Sequence, residues 1–298
     1  MPTVVSQVDP QHPDAAAIER AAALLRAGRL VAFPTETVYG LGANALDPHA
    51  VARIYEAKGR PVANPIIVHV ATVDQARQLT TTWPTTAMKL VERFWPGPLT
   101  IVLPKRDTVP AIVTAGGPTV ALRMPRHAVA QALLREAKLP LAAPSANRST
   151  RISPTTAAHV LRTLADRVDL VLDAGPCAGG LESTVLDLSQ DRPRLLRPGL
   201  VTLAELESAL AMPLSTRSAE RTVEPARSPG LMPRHYAPSV PLECIEGEAS
   251  DRIGALISQG LRVGWIGRRS RRPTSSTTIV RELPDNAAGF AAGLYSAL

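Results

Sequence analysis

Short apolar runs alternate along this chain with longer stretches in which apolar positions return every three or four residues. The first rhythm marks buried strands; the second marks helices packed on one face. Strands are predicted at 30–33, 66–70, 99–103, 120–123, 139–143, 170–172 and 183–188, with 195–197 pairing back across a turn at 189–194. Helices are predicted at 14–27, 49–57, 72–80, 85–94, 127–137 and 154–165. Asp47-Pro48 and Ser153-Pro154 read as an N-cap followed by Pro at the first helical position. Thr202-Leu203-Ala204-Glu205 reads as a capping box opening a further short helix. Alternation of this kind predicts an α/β fold. Periodicity then fails over 212–241, a Pro-rich linker. A small unit follows: strand 242–246, helix 251–259, strands 261–266 and 278–283, helix 286–297. The division is therefore a first domain at 1–211, a linker at 212–241 and a small α/β unit at 242–298.

One stretch stands apart. Phe33 to Gly42, FPTETVYGLG, starts as an apolar strand, meets Pro34, and turns polar. Pro34 has no N–H to give to a ladder, so the strand should stop there. Hydroxyls, a carboxylate and glycines then follow at the strand's end, which suits a small-molecule site. Gly40 to Ala45 also spells GxGxxA. A dinucleotide fingerprint needs its glycines at the strand-to-helix turn, and Gly40 lies too far beyond the strand. The chain contains no GxxxxGK[ST], HExxH or CxxC. What it offers is a set of cations and hydroxyls at predicted strand and helix ends: Thr35, Lys58, Arg60, Arg123, Ser145, Asn147, Ser183 and Arg197. In an α/β sheet such ends converge on one rim. Arg123, just before Pro125, reads as an inward anion clamp, because guanidinium binds carboxylate in a bidentate fork. His69 sits inside a strand, where residue type alone favours a packed core histidine.

Composition adds less. The formal net charge is +7, yet only four of the 33 basic residues are lysines, and 28 residues are proline. Aromatics make up 3% of the chain and form no basic-aromatic array. The charge is therefore read as favouring an anionic ligand rather than direct nucleic-acid binding. The two cysteines are far apart, the N-terminus lacks a signal-peptide pattern, and no 18-residue apolar run occurs. A cytoplasmic protein without a membrane span is expected.

FPTETVYGLG at 33–42, KGRPVANPIIVHV at 58–70 and PSANRS at 144–149 together resemble the YrdC-like threonylcarbamoyl-AMP synthases. The resemblance spans roughly residues 12–240, including SPGLMPRHYAP at 228–238, where Pro233 stands in place of the family's frequent Lys. It implies a twisted mixed sheet with helices, plus a small Rossmann-like C-terminal unit that looks incomplete beside the family's second domain. It implies threonylcarbamoyl-AMP synthesis from L-threonine, bicarbonate and ATP with Mg2+, supplying tRNA threonylcarbamoyl transfer machinery. Thr35, His69, Arg123, Ala143 and Ser183 would hold L-threonine. Arg60, Asn64, Thr119, Ser145, Asn147, Ser153, Arg197 and Tyr236 would hold ATP. Lys58 and Arg60 would stabilise phosphate charge. No general base and no protein metal cage are implied. Segment 228–238 concentrates Leu231, Met232, His235 and Tyr236 between prolines, and is expected to close over the site. Two other classes stay open: a related carbamoyl-adenylating enzyme of hydrogenase maturation, and a non-catalytic RNA-binding module.

Overall fold

The structure is a computed structural model, and it describes residues 2–216, 237–271 and 279–298. In chain order the first part contains β1 (Val4–Gln7), α1 (Ala15–Arg26), β2 (Val31–Phe33), β3 (Gly40–Asn44), α2 (Pro48–Lys58), β4 (Ile67–His69), α3 (Val73–Gln78) and α4 (Thr85–Phe94). Next come β5 (Leu99–Pro104), β6 (Thr119–Arg123), α5 (Ala128–Ala137), β7 (Leu141–Ala142), α6 (Ala157–Leu164), β8 (Leu170–Asp173), β9 (Thr184–Asp187) and β10 (Arg194–Arg197). The remainder is α7 (Leu203–Leu210), β11 (Ser215–Thr216), α8 (Ser250–Ser258), β12 (Gly264–Arg268), β13 (Ile279–Leu283) and α9 (Ala287–Ala297).

Eleven of these strands form one mixed sheet, ordered β1-β8-β2-β3-β7-β4-β6-β5-β9-β10-β11. Helices cover both faces, and strand alternation sorts side chains between them. On β2 and the residue before it, Leu30 and Ala32 point into one core with Tyr39, Ile54 and Val68. Val31 and Phe33 point into the other, against Ile18, Ala22 and Leu25 of α1 and Leu133 and Leu134 of α5. β5 divides likewise, with Leu99, Ile101 and Leu103 on one side and Val102 on the other.

Local chemistry sets the helix boundaries. Asp14 caps α1, and Asp47 caps α2 with Pro48 in its first turn. Gly59 ends α2 in the left-handed conformation, with φ of 58°. The capping box at Thr202 and Glu205 forms as expected. Three expectations change. The cap of α6 is Thr156, whose hydroxyl accepts from His159 N, so Ser153 is left for another role. Residues 40–44 form a strand rather than a loop, pairing antiparallel with β2 and β7. Here Gly42 is required by close approach, because a Cβ would stand 2.8 Å from the Phe33 ring. β1, an edge strand pairing parallel with β8, goes unread because its valines are exposed.

The small unit contains β12 and β13, paired in parallel, with α8 and α9. Residues 242–246 form no strand, and Leu242 and Ile245 are exposed there. Among the described residues no helix is long and apolar enough to cross a membrane.

Ile101 is fully buried at the middle of β5. Ile101→Ala should cost about 2–5 kcal/mol, the range for truncating a buried aliphatic side chain. A urea titration should show a lower midpoint with an unchanged slope; an unmoved midpoint would place Ile101 outside the cooperative core.

Candidate active site

β2 and β3 form a hairpin whose loop is the polar stretch 34–39. The Thr35 hydroxyl organises it. Its Oγ1 donates to Val38 O at 2.7 Å, accepts from Thr37 N and Val38 N, and lies 2.8 Å from Thr37 Oγ1. Thr37 Oγ1 in turn accepts from Arg123 Nη1 at 2.9 Å.

Arg123 ends β6, beside His69 of the parallel strand β4. It is 4% exposed, so its charge has to be met within the fold. Its Nε donates to Gly97 O, and its Nη2 lies 2.8 Å from Glu36 Oε1. That last contact is an ion pair without an aligned N–H, so Nη2 and Oε1 both keep hydrogen-bonding capacity. Burial pushes the Glu36 carboxyl up, but Arg123 and the Arg126 amide outweigh it and hold it below the usual range. His69 lies edge-on to Phe33, and its Nδ1 is buried without a hydrogen-bond partner. Burial first, and the charge of Arg123 second, lower its pKa to about 3.

Just before β9, Ser183 Oγ lies 2.8 Å from Thr100 Oγ1 and accepts from Arg197 Nη2 at 3.1 Å. Arg197 also donates to Ser183 O. Arg60, just past α2, donates to Asn64 O and Pro65 O. Thr35, Thr37, Arg60, His69, Arg123, Ala143, Ser145, Ser183 and Arg197 line a single cleft together with Glu182. Eight residues predicted from the sequence for threonine or nucleotide therefore meet: Thr35, Arg60, His69, Arg123, Ala143, Ser145, Ser183 and Arg197.

Others lie behind this lining. Asn64 is buried beside Arg60 with an unpartnered Oδ1. Asn147 donates through Nδ2 to Arg148 O and Arg151 O, and its Oδ1 is also unpartnered. Ser153 gives its hydroxyl hydrogen to Glu182 Oε1. Thr119 opens β6 opposite Pro104, outside the cleft lining. Lys58 differs most from its expected role on phosphate. It is 1% exposed, and its Nζ donates to Ser145 O and Asn147 O. It thus ties the 144–149 loop to the end of α2. Burial, with Arg60 adding to it, pushes its pKa well below the ordinary lysine value. Its place on the inward face of the last helical turn explains the difference; an end-of-helix position alone does not reveal which face is covered. Tyr236 and the 228–236 part of the expected lid lie outside the described residues. Ala237, where the chain is described again, donates its N–H to Thr150 O beside the PSANRS loop.

Glu36, Thr37 and Glu182 were given no role from sequence. The first two stood inside the recognised motif, where their hydroxyl and carboxylate chemistry was visible. Glu182 precedes Ser183 after a Gly-Gly pair, and only the fold brings it to the cleft.

A polar cleft at the strand ends of a mixed α/β sheet, bordered by buried arginines, describes a small-molecule enzyme of the YrdC-like class. The comparisons carry this further. A family model described as telomere recombination, of the Sua5, YciO and YrdC group, matches residues 23–199. A second, described as the threonylcarbamoyl-AMP synthase C-terminal domain, matches residues 201–298. The threonylcarbamoyl-AMP synthase of Bacillus subtilis is 46% identical over 301 residues, covering 99% of this chain and 85% of that protein. That of Pyrococcus abyssi is 46% identical over 261 residues, covering 85% and 77%. The crystal structure of P. abyssi Sua5 complexed with L-threonine superposes with a TM-score of 0.94 at 42% identity, covering 99% of this chain and 88% of that one. The chain belongs to the threonylcarbamoyl-AMP synthase family, in its two-domain form.

The lowered pKa of His69 has a consequence for stability. The folded form resists protonation down to about pH 3, whereas the unfolded side chain takes a proton near 6.5. Its contribution is complete above pH 6.5 and is lost as pH falls from there towards 3, by at most about 1.4 kcal/mol per pH unit. His69→Asn should therefore show a shallower fall in unfolding free energy over that window than wild type. Parallel stability curves would mean that His69 protonates freely in the fold.

Proposed function

We infer that this cleft joins L-threonine, bicarbonate and ATP into threonylcarbamoyl-AMP and pyrophosphate, a nucleotidyl transfer that serves tRNA modification in the cytoplasm. Family membership supports the reaction. The observation that carries the assignment of the site is the pairing of two buried, underused groups on one wall, Arg123 Nη2 and His69 Nδ1, next to the hydroxyl set of Thr35 and Ser183. An amino acid with a side-chain hydroxyl offers the matching chemistry: a carboxylate for the guanidinium, and a hydroxyl and an amine for the imidazole and serine.

The threonine amine reacts with bicarbonate to form a carbamate, releasing water. A carbamate oxygen attacks the α-phosphorus of ATP. The new P–O bond forms as the bond to the β,γ-diphosphate breaks, and pyrophosphate leaves. Little covalent chemistry falls to the protein, so positioning and charge stabilisation dominate. Arg123 holds the amino-acid carboxylate. Arg60, Arg197 and Ser145 face the phosphates, with Asn64, Asn147 and Ser153 behind the cleft lining. Thr119 and Tyr236 are the remaining nucleotide contacts under this reading. Lys58 serves indirectly, fixing Ser145 and Asn147. Magnesium enters with the substrate as MgATP. The nearby carboxylates are already engaged, Glu36 by Arg123 and Arg126 N, and Glu182 by Ser153 and Tyr295.

Pyrophosphate release from ATP should require both L-threonine and bicarbonate. Release with carbamoyl phosphate in their place would instead indicate the carbamoyl-adenylating class. Arg123→Lys keeps a cation opposite Glu36 but removes the planar fork. It should raise the threonine KM by about tenfold or more while changing the ATP KM less. An unchanged threonine KM would remove Arg123 from the threonine site.

A further inference from the structure

We propose that Tyr295, on α9 of the C-terminal unit, is a positioning residue for the nucleotide side of the cleft and acts through Glu182. The proposal rests on the reading above in which Ser153 contacts ATP. Tyr295 Oη donates to Glu182 Oε2 at 2.8 Å. Ser153 Oγ donates to the other oxygen, Oε1, at 2.5 Å. Each carboxylate oxygen is thus taken by one hydroxyl, one from each unit of the chain. A carboxylate held at both oxygens cannot rotate without breaking a charge-assisted bond. Glu182 is 9% exposed and lines the cleft, so its orientation bears on what the cleft presents. Because Ser153 spends its only hydrogen on Glu182, any contact it makes with a ligand uses its lone pairs.

The backbone around Glu182 supports the same coupling. A Cβ on Gly180 would stand 2.6 Å from Ala291 O and from Ala292 Cα, so α9 rests directly on this loop. From the other side, Gly179 N and Gly180 N donate to Glu36 O and Thr37 O. The 179–182 loop is therefore held between α9 and the turn that meets Arg123. Glu182 leads straight into Ser183, whose carbonyl receives Arg197. A shift of α9 would move Glu182, and with it the Ser153 hydroxyl and the anchor of Arg197.

The test uses the full chain. Tyr295→Phe deletes one hydroxyl and leaves the aromatic packing of α9. It should weaken ATP binding, by calorimetry and in the ATP KM, by about three- to tenfold, less than the loss of a direct charge-assisted bond. The threonine KM should stay within about twofold of wild type. Ser153→Ala and Tyr295→Phe act through one carboxylate, so their effects on ATP affinity should combine less than additively. Glu182→Gln, which keeps the shape but removes the charge, should reproduce the loss. ATP affinity unchanged in Tyr295→Phe or in Glu182→Gln, or additive effects in the double variant, would reduce Tyr295 to a domain fastener. Wild-type assays separate the two readings. No threonine-dependent pyrophosphate release by wild type would overturn the function, whereas an active wild type with an unaffected Tyr295→Phe overturns only this inference.

Discussion

A guanidinium inside a protein must find partners, or it costs on the order of several kcal/mol. Arg123 is such a group, and the way it is met arranges the cleft. Its three partners come from separate segments: Gly97 in the turn before β5, and Glu36 and Thr37 in the β2–β3 hairpin loop. The central position of β6, between β4 and β5, lets one side chain reach both. The consequences spread outward from there. The hairpin loop held by Arg123 supplies the carbonyls of Glu36 and Thr37, which receive the amides of Gly179 and Gly180. That loop leads to Ser183 and so to Arg197. A Cβ on Gly179 would lie 2.7 Å from Glu36 O, so glycine is what permits this approach.

The carbonyls that hold Lys58 work in the same way on the other rim. The Lys58 Nζ, with two carbonyl oxygens as its acceptors, fixes the 144–149 loop against α2, and Gly40 bridges to Ser145 from the hairpin. Residues from three loops thereby reach the cleft with little freedom. Such preorganisation lowers the ordering cost of binding. The exposed pair between Arg252 and Glu243 differs in kind: it is solvated at both ends and contributes little to either rigidity or stability.

Much of this was legible in the residues. Buried strands declared themselves as apolar runs, because a sheet covered on both faces needs apolar side chains at every position. Caps at Asp47 and Thr202 were visible because their chemistry is local. The misses share a cause. β3 reads GLGAN, and its pairing is decided by the small side chains that let Phe33 and Ala143 approach, which is a tertiary fact. The Ser153-Pro154 pair has the local form of a cap, but Thr156 takes that role and Ser153 is drawn to Glu182, 29 residues away. The motif residues Thr35, His69 and Arg123 were placed by resemblance; their meeting around one cleft follows from the β4–β6 register, which pairs His69 with Arg123. Lys58 shows the limit clearly. Its type and its position at a helix end suit a phosphate contact, yet one turn of the helix decides whether the side chain faces the cleft or the loop behind it.

The proposed function raises a question of design: why a cleft meant for an anionic amino acid should carry a carboxylate of its own. Two carboxylates about 4 Å apart repel by roughly 4 kcal/mol at an effective dielectric of 20. Glu36 would therefore oppose the substrate if it faced it alone. It does not: Oε2 is bound by the Arg126 amide, and Oε1 sits against Arg123 without an aligned N–H. Glu36 thus compensates much of the guanidinium's charge before substrate arrives while leaving donor capacity on Nη2. Removing it would leave a buried arginine short of compensation, free to collapse towards other acceptors. Keeping it in this off-axis position holds the arginine in place, and a second carboxylate can then approach Nη2 from the cleft. The same geometry accounts for the neutral His69. A second cation beside Arg123 would tip the balance that Glu36 sets, and burial together with Arg123 prevents it. Under the proposed function this side of the cleft is a three-body arrangement, in which one fixed cation is shared between a resident anion and an arriving one.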